Sequence, residues 1–171
     1  MTKKIATTSL LIPKKSLTHR NALENPKRGI YVCRRCRAYL PKKSWHPDVD
    51  SLLIANRHLL PFVQETICPA CEMIEQNRYQ GKVFIVGMLH SQKKDILALV
   101  KAFGIRAYMR NVENRVINTH SDTDSITITL TGKALAAKLA QKVRTIFHLQ
   151  EIGVVYSSEP SNISIATVTF S

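Results

Sequence analysis

All four cysteines of the chain fall into two Cys-x-x-Cys pairs, Cys33/Cys36 and Cys68/Cys71. A turn of this spacing presents two sulfurs to one ion. Zn²⁺ takes four soft ligands in a tetrahedron, and two such turns supply that set with nothing left over. The spacing predicts a zinc ribbon with one structural Zn²⁺ held by Cys33, Cys36, Cys68 and Cys71, each pair lying at one end of a β-hairpin. A four-sulfur set is closed and leaves no coordination position for hydrolytic chemistry. The 31 residues between the pairs exceed the usual span of about fifteen to twenty, which leaves room for an inserted element.

Competing uses of paired cysteines are disulfides, unrelated buried thiols and a redox motif. The start Met-Thr-Lys-Lys-Ile-Ala has no apolar signal-peptide core, and no run approaches the roughly eighteen apolar residues of a membrane helix. The expected location is therefore a reducing cytoplasm, without membrane contact, where such pairs more often hold metal than each other. Arg34, Arg35 and Ala70 do not give either pair the surroundings of a thioredoxin-type site.

Charge is placed unevenly. Residues 1–45 hold twelve of the 25 Lys and Arg against one acid, Glu24, and so carry +11 of the formal +13. The bases come in short groups: Lys3-Lys4, Lys14-Lys15, Lys27-Arg28, Arg34-Arg35, Arg37 and Lys42-Lys43. That spacing suits a chain meeting phosphates at intervals on folded RNA, and it lacks the apolar face of a membrane-surface helix. The candidate RNA contacts are Lys14, Lys15, Lys27, Arg28, Arg34, Arg35, Arg37, Lys42 and Lys43, of which the arginines sit on and beside the first cysteine turn. Simple solubility is the competing reading of the charge.

Three regions must position these residues: a basic arm (1–30) punctuated by Pro13, Pro26 and Gly29, a zinc-ribbon module (31–80), and an α+β domain (81–171). In the module, Leu52, Leu53, Ile54, Leu59, Leu60 and Phe62 predict one or two helical turns packing with Trp45. The last region reads as a strand over 82–89 and a helix capped by His90-Ser91, with Ile96, Leu97, Val100 and Phe103 at helical spacing and an end at Gly104. Strands follow within 105–119 and over 125–131, where Ile126, Ile128 and Leu130 alternate with threonines. A second helix begins at Thr131-Gly132, with Leu135, Leu139, Val143 and Ile146 as its buried stripe. Two strands, 151–157 and 162–170, end the chain. This order is the split βαβ (ferredoxin-like) arrangement with one extra strand, an antiparallel sheet carrying two helices on one face. The predicted class is α+β.

Trp45 beside Lys42, Lys43 and His46 reads as core packing under the ribbon, with base stacking as the alternative. His46 and His58 are not needed as ligands while four thiolates are present. Lysines 93, 94, 101, 133, 138 and 142, with Arg144, read as the solvent side of amphipathic helices. No glycine-rich phosphate loop and no Ser-His-Asp arrangement occurs, so neither catalysis nor a small-molecule substrate is expected.

The run Cys68-Pro69-Ala70-Cys71, Glu72–Gly81, Lys82–Leu89, His90 and Asp95-Ile96-Leu97 resembles the short bacterial relatives of the archaeal and eukaryotic large-ribosomal-subunit export adaptor, the family named for nonsense-mediated decay. The run from Ser125 to Ala136 is similar to the same family's segment at that place, and the resemblance covers roughly Tyr31 to Phe170. It implies contact with the large ribosomal subunit and carries over the metal set Cys33, Cys36, Cys68 and Cys71. Longer relatives are expected to hold further cysteine pairs and β domains, so an export role does not carry over. The basic arm departs from the family pattern.

These readings lead to a noncatalytic, zinc-containing ribosome- or rRNA-binding factor of the large subunit, serving assembly, quality control or dormancy. Its rivals are a DNA-binding or transcription-linked zinc-ribbon adaptor, and a protein-binding scaffold. No helix combines exposed Arg, Asn and Gln suited to reading base edges.

Overall fold

The computed structural model describes residues 29–41, 43–149, 152–156 and 163–170. Most of the basic arm, with Lys14, Lys15, Lys27 and Arg28, lies outside the described residues, as does Lys42. The described chain is α+β with two sheets.

The smaller sheet carries the cysteines. β1 (Ile30–Cys33) turns back into β2 (Tyr39–Leu40), and the chain continues through α1 (Val49–Ala55), a 3₁₀ helix (Arg57–Phe62), β3 (Val63–Thr66) and α2 (Pro69–Glu75). Its strand order is β2-β1-β3, with β2 antiparallel and β3 parallel to β1. A parallel neighbour cannot be reached by a tight turn and needs a crossover of about a dozen residues or more. α1 and the 3₁₀ helix are that crossover, which accounts for the long span between the cysteine pairs.

Ile30, Val32, Tyr39, Val49 and Leu59 form a small core under this crossover, joined by Leu52, Leu53 and Val63. Trp45 departs from expectation by packing among the cysteines rather than in this cluster. Ile54 and Leu60 also depart from it. They are 75% and 55% exposed, and Phe62, expected in the same cluster, is 41% exposed, because each of these short helices buries only one stripe.

The larger sheet begins with β4 (Gly81–Val86), followed by α3 (His90–Arg110), β5 (Val116–Ser121), β6 (Ser125–Leu130), α4 (Lys133–Phe147), β7 (Ile152–Tyr156) and β8 (Ser164–Thr169). Strand order is β5-β6-β4-β8-β7. Val83 pairs with Ile128 and Ala166, and Ile85 with Ile126 and Val168, so these side chains share one face. That face meets Ile96 and Val100 of α3 and Leu135, Leu139 and Val143 of α4 in a single core of seventeen buried residues. Both helices therefore cover one face of the sheet, as predicted.

The expected all-antiparallel sheet is corrected to a mixed one. α4 carries the chain from β6 to β7, which run in the same direction, and the β7–β8 hairpin then reverses it. β8 inserts between β7 and β4 and must run parallel to β4. The extra strand is thus β7 at the edge.

α3 also runs past its predicted end at Gly104 to Arg110. One interior glycine costs about 1 kcal/mol, too little to stop a helix that continues through good formers. A Cβ at Gly104 would meet Val116 Cγ2 at 3.1 Å, so the glycine admits the start of β5 against the helix. Ile146 departs from the predicted buried stripe of α4, being 44% exposed near the helix end. No helix among the described residues is long and apolar enough to cross a membrane.

Candidate metal centre

Cys33 ends β1, and Cys36 lies in the turn that leads to β2. The turn is closed by the Cys33 N–H donating to the Ala38 carbonyl at 2.7 Å and the Arg37 N–H donating to the Cys33 carbonyl at 2.9 Å. Arg37 takes a left-handed backbone, φ 58°, which costs a non-glycine residue on the order of 1 kcal/mol. The second pair comes from a different device than the predicted hairpin. Cys68 precedes α2, Pro69 opens the helix with a pre-set φ and no N–H to satisfy, and Cys71 occupies the first turn.

Parallel pairing of β1 with β3 brings both pairs to the same end of the sheet, with Cys33 opposite Thr66. The Arg34 N–H donates to the Thr66 carbonyl at 3.0 Å, and the Cys68 N–H donates to Cys33 Sγ at 3.3 Å. The four Sγ atoms lie within 4.8 Å of one another, and Cys36 and Cys68 are 3.7 Å apart. A tetrahedral ion with four bonds of about 2.3 Å separates its sulfurs by about 3.8 Å. The donor set fits one metal ion. It does not form disulfides, since all four thiols are free. Cys33, Cys68 and Cys71 are buried, and Ala38, Ala70 and Val112 close around them with Trp45, Ile67 and Tyr108 at the margin.

Burial and mutual contact split the thiols electrostatically. Cys36 is lowered from the ordinary thiol value, chiefly because the Cys68 S–H donates to it, and the nearby positive charge of Arg115 adds to the effect. Cys68 is raised correspondingly, because its proton is held by Cys36 and its thiolate is poorly solvated. Cys71 is raised chiefly by burial. Cysteine sites of this kind exchange protons for the cation they bind.

One further observation suits an ion of this charge. Among the described residues, Arg115 Nη2 is buried without a hydrogen-bond partner. An ion of charge +2 with four thiolates would leave a centre of about −2, a counter-charge for a guanidinium whose Nη2 has no other partner among the described residues. Val112, Tyr108 and Arg115 escaped sequence reading. They lie some forty residues beyond Cys71, on the end of α3 and the turn after it, with no local signal tying them to the cysteines.

The predicted RNA contacts are treated unequally. Arg34 and Lys43 are exposed. Arg35 pairs with Glu75 at 2.5 Å and Arg37 with Asp50 at 2.7 Å, so two of the three turn arginines already have acidic partners. His46 stacks obliquely on Tyr39, at 5.6 Å between ring centroids, and neither His46 nor His58 joins the cysteine group.

Fold and site together define an α+β protein with a four-cysteine site able to hold a metal ion. No protein-family model, curated protein or solved structure matches the chain.

Proposed function

We propose that the ion is zinc and that the protein is a noncatalytic ribosome- or rRNA-binding factor of the cytoplasm, directed to the large subunit. Zinc is favoured by the donor chemistry, since four thiolates in a closed shell are typical of its structural sites. The cysteine-bearing half has a core of only five buried residues apart from the metal cluster. A structural Zn²⁺ contributes on the order of 10 kcal/mol to modules of this kind.

The observation that carries the RNA reading is the segregation of charge on the two helices that cover the larger sheet. α3 holds five Lys and Arg against one acid, Asp95, and α4 holds four with no acid. Both helices lie on one face. Lys94, Lys101, Arg106, Arg110, Lys138 and Lys142 are exposed, and none forms an ion pair among the described residues. An amphipathic helix that merely covers a core ordinarily mixes both signs on its wet side. A layer with nine bases against one acid attracts a polyanion. The buried stripes of both helices meet the sheet, and the large apolar side chains they leave exposed, Ile105, Met109 and Ile146, are too few for a lipid-binding face. By sequence, residues 1–45 add a further +11 of formal charge.

Sedimentation with ribosomes in a low-salt gradient, with and without ribonuclease, tests this reading. Co-migration that is lost on nuclease treatment is expected. Affinity should fall by roughly 10³-fold between about 50 and 200 mM salt if six or more phosphate contacts form. Replacing Lys101, Arg106, Lys138 and Lys142 by Gln should lower the logarithmic salt slope by about 3. Binding that ignores salt, or a protein that stays at the top of the gradient, removes the proposal. Equal capture by duplex DNA would move it to the transcription-linked alternative.

A further inference from the structure

The turn between α3 and β5 is held from two sides. On the sheet side, the Arg115 N–H donates to Thr131 Oγ1 at 2.9 Å, and the Thr131 hydroxyl donates to the Glu113 carbonyl at 2.6 Å. The Thr131 N–H donates in turn to the Arg115 carbonyl at 3.1 Å. On the cysteine side, Val112 is fully buried in the cluster formed by Cys33, Cys68 and Cys71. The Arg115 side chain folds back between the two. Its Nε donates to the Val112 carbonyl at 2.6 Å, and its guanidinium carbon lies 4.1 Å from the centroid of the Tyr108 ring, itself packed on the cysteine cluster.

That arrangement leaves one guanidinium nitrogen, Nη2, buried with no partner among the described residues. Leaving a buried charged donor unpaired is costly, and native folds keep such groups where a counter-charge meets them. Its positive field reaches Cys36. The guanidinium stacks on Tyr108, which packs on the cysteine cluster, and four thiolates around one divalent ion would supply the negative charge it lacks.

We infer that Arg115 is the counter-cation of the four-cysteine metal centre, and that through it metal occupancy holds the α3–β5 turn, and with it the larger sheet, against the cysteine module. Arg115 touches no substrate; it is a positioning residue for the metal and for the joint. Guanidinium suits the task because it is planar, weakly hydrated and stacks on an aromatic face while directing its N–H groups sideways. The inference rests on the metal part of the proposed function and is independent of RNA binding.

The test uses the full chain loaded with Zn²⁺, and separately with Co²⁺, whose tetrahedral thiolate spectrum reports the coordination directly. Release to a chromogenic chelator and amide exchange at Val112–Arg115 are followed in wild type, Arg115→Met and Arg115→Lys. Losing a group that braces metal ligands from outside typically reduces metal affinity by about 10- to 100-fold, and Arg115→Met is expected to fall in that range. Its turn should exchange rapidly even with metal bound, matching the metal-stripped wild type, while β4 and β8 stay protected. Arg115→Lys keeps the charge but not the planar stack and should recover part of the affinity.

An Arg115→Met protein that retains metal as wild type does, with a protected turn, overturns the inference. If Arg115→Met does not fold, Arg115→Gln keeps hydrogen-bonding capacity without the charge, and its metal release equal to wild type overturns the inference as well. Wild-type protein that takes up no stoichiometric metal removes the metal centre itself, a different result from an insensitive variant.

Discussion

Arg115 and Thr131 exchange two backbone-centred hydrogen bonds: the Arg115 N–H meets Thr131 Oγ1 at 2.9 Å, and the Thr131 N–H meets the Arg115 carbonyl at 3.1 Å. Thr131 sits between β6 and α4, and Arg115 just before β5. The pair therefore pins the turn that supplies Val112 to the cysteine cluster to the junction between β6 and α4.

Thr131→Val keeps the shape of the side chain and removes its hydroxyl. The Arg115 N–H and the Glu113 carbonyl then lose their partner, at a cost of about 1–3 kcal/mol. Denaturant unfolding should show that loss, and metal release should quicken because Val112 and Arg115 are held less firmly. A variant as stable as the parent would show that water replaces the hydroxyl and that the pair is not a fastener.

Chelation should act first on the cysteine-bearing half. The sole tryptophan, Trp45, is packed against the cluster that contains Cys33 and Cys68, so its emission should shift to the red as metal leaves. Amides of Val32 and Cys33 should lose protection while those of Val83, Ile85 and Val168, in the seventeen-residue core, keep it. Simultaneous loss at both sets of amides would mean that the two halves unfold as one unit.

Gly81 is a contact glycine. A Cβ there would lie 2.6 Å from the Gly132 carbonyl oxygen and 2.7 Å from Ala136 Cβ. Neither neighbour can swing aside, because one is backbone and the other a methyl group on α4. Gly81→Ala is expected to cost about 1–3 kcal/mol through overpacking, read as a lower melting temperature with metal retention little changed. An unchanged melting temperature would mean that α4 slides freely on β4.

Ser164 is buried opposite Gly81, and its hydroxyl has no hydrogen-bond partner among the described residues. Ser164→Ala removes a desolvated polar atom and should raise stability by about 1 kcal/mol. A loss of stability on this substitution would point to an ordered water bound at the hydroxyl.

The local parts of the molecule were legible because local rules produce them. Paired cysteines announce a metal set through spacing alone. Alternating Ile and Thr from Ser125 to Leu130 announces a strand with one buried face, and Leu135, Leu139 and Val143 recur on one side of α4. Where reading by spacing failed, a longer-range contact had overridden it. Gly104 looks like a helix end but lies mid-helix because Val116 needs the space beside it. Trp45 reads as part of the 3₁₀-helix core yet sits with the cysteines.

What the order of residues decided by itself is the donor chemistry, the excess of positive charge and the α+β succession of elements, since each depends on residue type or on periods of two and about 3.6. Only the folded chain decided that β1 and β3 run parallel and carry Cys33 and Cys68 to one end, that β8 lies parallel to β4, and that Arg115 comes to rest beside thiols far from it in sequence. Those outcomes depend on which buried surfaces meet across long loops. The free energy of such encounters belongs to pairs of distant residues, so no window along the chain contains it.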